Sequence, residues 1–154
     1  GATNAPALRQ FSVVTGAADE NLLRSAASSG PLALGDVDRD GDLDLFVGGR
    51  VIAGRYPEAA SSALLRNDQG QLRFDPEASR LFANVGLVSS ALFTDLDADG
   101  WPELVLACEW GPLRIFRNER GTFQPWNPQV TAEIANRKSQ IANLDQLTGW
   151  WNSV

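Results

Sequence analysis

Two acidic turns in register constrain this chain more than any other feature. Gly35-Asp36-Val37-Asp38-Arg39-Asp40-Gly41-Asp42-Leu43-Asp44-Leu45-Phe46-Val47 aligns with Thr94-Asp95-Leu96-Asp97-Ala98-Asp99-Gly100-Trp101-Pro102-Glu103-Leu104-Val105-Leu106 at an offset of 59 residues. Downstream, Leu64-Leu65-Arg66-Asn67-Asp68-Gln69-Gly70 aligns with Ile115-Phe116-Arg117-Asn118-Glu119-Arg120-Gly121 at an offset of 51. Repetition at such a period marks a chain assembled from copies of one supersecondary unit. The difference between the offsets leaves about eight extra residues in the first copy, and the Gly- and Ser-rich stretch 48–62 is expected to be that longer loop.

Each copy decomposes alike. An apolar strand (31–35; 91–94) runs into the acidic turn and a second strand (43–47; 104–108) leaves it. A third strand (63–66; 113–117), an Asn-containing turn closed by Gly70 or Gly121, and a short fourth strand (72–74; 122–124) complete a four-stranded antiparallel meander. Leu45-Phe46-Val47 and Leu104-Val105-Leu106 are apolar without alternation, so both faces of each sheet are expected to be covered. Sheets stacked face to face at this period predict all-β, four-stranded blades of a β-propeller, here a partial propeller and not a closed ring. The units run 26–83 and 84–127, preceded by an edge segment (1–25) and followed by a connector with the opening strand of a third blade (128–154). Helix signals are thin. Residues 19–27 carry a turn or two of helix formers, and 130–144 reads as a helix or as a long inter-blade connector.

Composition narrows the chemistry. The 154 residues include no His, no Met and one Cys, which excludes imidazole catalysis, an intrachain disulfide and a multi-cysteine metal site. The missing Met leads to the expectation that Gly1 is a processed end or the start of a piece. No stretch approaches a membrane span. Of 19 acidic side chains nine sit in the two turns, and without them 13 basic residues would outnumber ten acidic ones. The formal charge of −6 therefore belongs to two local clusters, not to a generally acidic chain.

Carboxylates at turn positions 1, 3 and 5 with Gly at 6 suit a hard cation: the turn curls the oxygens inward and Gly takes the tight backbone conformation. Calcium accepts about six to eight oxygens, and three aspartates, a carbonyl at position 7 and a carboxylate at position 9 supply most of them. An EF-hand would close with Glu at position 12 between helices, where this chain has Val47 and Leu106 in strand-like sequence. Two bound Ca²⁺ would bring the formal charge from −6 to −2. The competing reading is a pair of solvated Asp/Gly turns.

These residues resemble the FG-GAP/VCBS repeat, the calcium-loop blade of integrin alpha-subunit propellers and many bacterial surface proteins. Gly48-Gly49-Arg50-Val51-Ile52, Glu109-Trp110-Gly111-Pro112-Leu113 and Gly149-Trp150-Trp151-Asn152-Ser153 are similar to the subgroup containing cartilage acidic protein and bacterial relatives with a C-terminal ASPIC/UnbV module. The resemblance implies two Ca²⁺ sites: Asp36, Asp38, Asp40, the Asp42 carbonyl and Asp44 in one, and Asp95, Asp97, Asp99, the Trp101 carbonyl and Glu103 in the other. Family propellers close with about seven blades, whereas this length divided by the offset gives about 2.6. Bare blade faces are then expected to meet other blades of a parent propeller or a second copy of the chain.

The expected function is a calcium-binding interaction or adhesion scaffold, secreted, periplasmic or at the cell surface, with a protein or glycan ligand and no catalytic residues. The alternative is part of a propeller enzyme acting on polysaccharides, whose catalytic site lies outside or only partly inside these residues. Nucleic-acid binding is disfavoured because the arginines are scattered and form no basic stripe. Arg66 and Arg117 are expected to pair with acidic neighbours, Cys108 to pack as a small apolar residue, and the tryptophans to pack between blades rather than stack sugars.

Overall fold

A computed structural model describes residues 7–11, 18–24, 27–134, 137–141, 144 and 148–151. β1 (Ala7–Phe11) and β2 (Ala18–Arg24) form a hairpin. β3 (Ala27–Gly35), β4 (Asp44–Ile52), β5 (Ala63–Asp68) and β6 (Gln71–Asp75) follow as an antiparallel meander in chain order. After helix α1 (Pro76–Leu81), β7 (Leu87–Thr94), β8 (Glu103–Pro112), β9 (Arg114–Glu119) and β10 (Thr122–Trp126) repeat that meander. β11 (Val130–Ile134) pairs with β12 (Arg137–Ile141), and β13 (Thr148–Trp150) pairs with the far end of β8. Among the described residues the fold is all-β apart from α1 and a 3₁₀ position at Leu144, and its four- and five-stranded sheets stack as propeller-like blades without closing into a ring. Among the described residues no helix is long and apolar enough to cross a membrane.

Several details differ from the sequence reading. Of the segments 19–27 and 130–144, residues 19–24, 130–134 and 137–141 lie in hairpin strands, because cross-strand pairing outweighs a weak local propensity. β4 continues through Gly48-Gly49-Arg50 to Ile52, so the expected loop shrinks to 53–62. Glycine is what permits this: a Cβ at Gly48 would stand 3.1 Å from Val88 Cγ1, and one at Gly49 would run into the Ser61 carbonyl. Thr148–Trp150, expected in a third blade, extends the second sheet instead, antiparallel to Glu109, Gly111 and Pro112. The remainder of that expected strand, 152–154, lies outside the described residues, as does most of 1–26.

Helix α1 was not foreseen, although its start is written in Asp75-Pro76-Glu77. The Asp75 carboxylate accepts the N–H groups of Glu77 and Ala78 at 3.0 Å each, and Pro76 occupies the first turn. The helix delivers Phe82 between the sheets. There Phe82 is fully buried and meets Phe46, Phe116 and Phe123 edge-on, with ring centroids 5.4, 5.0 and 5.9 Å away.

Strand alternation sorts the remaining core. Ala33, Phe46 and Leu64 of the first sheet join Val88, Leu104, Leu106, Cys108, Phe116 and Phe123 of the second. Contact is close enough that a Cβ at Gly35 would lie 2.8 Å from the Phe93 ring. The aromatic core is phenylalanine, contrary to the expectation for tryptophan. Trp110 is 58% exposed, while Trp101 and Trp126 are half-buried beneath the guanidinium groups of Arg39 and Arg117. The side chain of Trp150 lies outside the described residues.

At the end of the sheets away from the acidic turns, buried Glu109 accepts from Tyr56 Oη at 3.1 Å and pairs with Arg50 at 2.5 Å, joining β8 to β4 and the loop after it. Cys108 is buried at 1% exposure, and burial raises its thiol above the ordinary range against a smaller lowering influence from Arg114. The folded protein is therefore expected to leave Cys108 untouched by a thiol reagent until denaturant opens the core. Rapid labelling in buffer would refute that placement.

Candidate metal centre

The two acidic turns have one geometry. Asp36 accepts the Gly41 N–H at 3.1 Å, Asp38 the Asp40 N–H at 3.3 Å and Asp40 the Asp42 N–H at 2.8 Å. In the second turn Asp95 accepts from Gly100 at 2.8 Å, Asp97 from Asp99 at 3.3 Å and Asp99 from Trp101 at 2.8 Å. The backbone matches too: position 4 is left-handed in both (Arg39 φ 64°, Ala98 φ 61°), and so is the Gly at position 6 (φ 94° and 84°). A left-handed glycine carries no Cβ penalty, so the turn curls tightly at little cost.

The curl gathers carboxylates. Asp36, Asp38 and Asp40 place ligand oxygens within 4.8 Å of one another, and Asp95, Asp97 and Asp99 do the same. Asp36 Oδ1 is buried and has no hydrogen-bond partner. A donor set made only of hard oxygens, with one buried oxygen unspent, fits a hard divalent cation.

The position-9 acids lie at the foot of each turn and belong to neither triad. Asp44 is wholly buried, with Oδ2 accepting from Val37 N at 3.0 Å and Oδ1 from Asn67 N at 2.8 Å. Glu103, equally buried, accepts from Leu96 N at 2.7 Å and Asn118 N at 3.4 Å. Both acids thus tie their turn to the third strand of the same sheet. Burial raises the Asp44 carboxyl above its ordinary value, the Asn67 and Val37 N–H groups pull it down, and Asp38 and Arg66 act in opposite senses. Asp42 spends its own carboxylate outside the triad, accepting from Gln69 N at 2.8 Å, and Trp101 stands at the matching position under Arg39.

Arginines balance the charge from the side. Arg66 lies 3.5 Å from Asp38, 3.7 Å from Asp44 and 3.1 Å from Asp75, and Arg117 pairs with Asp97. The pairing expected for these two residues is present.

Contacts between the turns and the neighbouring sheet were not anticipated. Arg39 donates to Gly100 O at 2.9 Å and Asp99 O at 3.2 Å, and stacks 4.4 Å from the Trp101 ring. Asn118 Nδ2 donates to Val37 O at 2.9 Å, and Arg66 donates to Gly121 O. The one sequence sign of the first contact is that Arg39 and Ala98 differ at matched positions. Comparison with protein-family models, curated proteins and solved structures returns no match.

Proposed function

We propose that this chain is a calcium-binding repeat module of the FG-GAP type, acting as an interaction scaffold. The observation that carries the reading is the twice-built turn: two triads of aspartate oxygens in the same hydrogen-bonded cage, one with a buried oxygen lacking a partner. Asp36, Asp38 and Asp40 would hold one ion, and Asp95, Asp97 and Asp99 the other. The carbonyls of Asp42 and Trp101, with Asp44 and Glu103 beneath, are the remaining oxygens within reach in sequence. A bound ion relieves like-charge repulsion and stiffens the rim, where the loops meet a protein or glycan ligand. Such loops suit calcium-rich surroundings, so a secreted, periplasmic or cell-surface setting belongs to the proposal.

Calorimetric titration with calcium tests it. Two sites are expected, and Asp38→Ala and Asp97→Ala should each delete one while sparing the other. At free calcium a hundredfold above Kd, each site adds about 2.7 kcal/mol of stability, visible as a melting shift abolished by chelator. Absence of binding at millimolar calcium would sink the reading.

A further inference from the structure

The two acidic turns meet across the joint between the sheets, and the residue that joins them stands between two proposed ligands. Arg39 lies between Asp38 and Asp40, yet among the described residues its guanidinium pairs with no carboxylate. It reaches across the joint instead. Nε donates to Gly100 O at 2.9 Å, Nη2 donates to Asp99 O at 3.2 Å, and the guanidinium carbon lies 4.4 Å from the Trp101 ring centroid. Those three residues are positions 5, 6 and 7 of the second turn. Asp99 belongs to the second triad, and Trp101 carries the carbonyl proposed for that site. The approach is close: a Cβ at Gly100 would collide with Arg39 Nη2, so glycine there lets the guanidinium lie against the turn. This pin takes the carbonyls of Asp99 and Gly100, whereas the cage of the second turn uses their N–H groups. Pin and cage are therefore made together without competing for the same atoms.

We infer that Arg39 couples the two proposed cation sites, so that an ion held in one turn raises the affinity of the other. The inference rests on the calcium reading of the turns and concerns the regulation of those sites. Arg39 is left-handed at φ 64°, and its neighbours Asp38 and Asp40 belong to the first triad. An ion that fixes those two carboxylates also fixes the residue between them and the direction in which its side chain leaves. At the far end, an ion gathering Asp95, Asp97 and Asp99 fixes the carbonyls that Arg39 grips. Whichever turn is ordered first lowers the entropy cost of ordering the other. Linkage makes the effect equal in both directions, although the pin is built from one side only, with Ala98 at the matching place in the second turn. Charge works against it: two bound cations repel, and a guanidinium beside a cation site weakens that site. Positive coupling through Arg39 therefore has the sign of the pin and not of its charge.

Calcium calorimetry on the whole chain provides the test, using the wild type, Asp38→Ala and Asp97→Ala. The coupling is the ratio of the wild type's two-ion binding constant to the product of the constants of the two single-site forms. Losing an aspartate charge by itself weakens the site that remains, so the ratio is measured again with Arg39→Ala added to all three chains, and again with Arg39→Lys. Arg39 is exposed, so both replacements are expected to keep the fold, which circular dichroism in chelator checks. Arg39→Ala should lower the ratio about fivefold or more, even though it removes a positive charge near both sites. Arg39→Lys keeps the charge but loses the planar fork, and its ratio should fall with that of Ala. An Arg39→Ala ratio equal to the wild type's overturns the inference. So does an Arg39→Lys ratio that matches the wild type, because charge and not the pin would then be the cause. Two ions bound with a ratio indifferent to Arg39 would sink the coupling and leave the proposed function standing, whereas a wild type that binds no calcium would sink both.

Discussion

Phe82→Ala is expected to cost about 3–5 kcal/mol, the range for removing a buried aromatic ring. Phe82 belongs to neither sheet, yet it touches Phe46 of the first and Phe116 and Phe123 of the second, all edge to face. Truncation would leave a cavity bordered by rings on both sides. The Gly35 backbone already abuts Phe93 and Gly48 abuts Val88, so the sheets have little freedom to close the gap. Against a total stability of about 5–15 kcal/mol, such a loss separates the blades at moderate denaturant. Phe82→Leu, which refills part of the volume, should recover a large share. The check is a chemical denaturation series. An Ala variant within about 1 kcal/mol of the wild type would mean that the joint does not depend on this residue.

The second large effect concerns the position-9 acids. Asp44→Ala strips the acceptor from Val37 N and Asn67 N, and Glu103→Ala strips it from Leu96 N and Asn118 N. In each pair one N–H is buried and the other partly so; an unsatisfied buried N–H costs about 1–3 kcal/mol, so each variant is expected to lose about 1–4 kcal/mol. Relief of the buried carboxylate's own desolvation reduces the Asp44 figure toward the lower end. The loss must survive in excess chelator, since it arises from backbone donors and not from an ion. If Asp44→Ala and the wild type melt together in chelator, then the acid serves a cation alone and the clamp is refuted.

These two predictions also mark what was legible in the sequence. The acidic turns and the meander follow from the matched segments, because strand pairing and turn chemistry are local properties. The position-9 acids were picked out as members of the turns, but their backbone partners were not. Asn67 and Asn118 lie in a different hairpin, and nothing in Asp44 or Glu103 by itself specifies that the chain returns beneath them. Phe82 was passed over because it follows a helix of only one or two turns, although Asp75 and Pro76 announce that helix. The tryptophans misled for a related reason: a large apolar ring suits a core or a guanidinium lid equally well, and only the positions of Arg39 and Arg117 decide between them.

The contacts within each turn and those between the sheets differ in how they would pass from one copy of such a segment to another. Inside the turns, each hydrogen bond at positions 1, 3, 5 and 9 recurs in both copies, and each draws only on its own hairpins. Duplicating one stretch of gene would therefore transmit a whole cage intact. The pins across the joint do not travel in this way, because each needs a donor in one copy and an acceptor in the next. Arg39 against Ala98 is the visible difference: the cage recurs as a unit, whereas the pin across the seam does not.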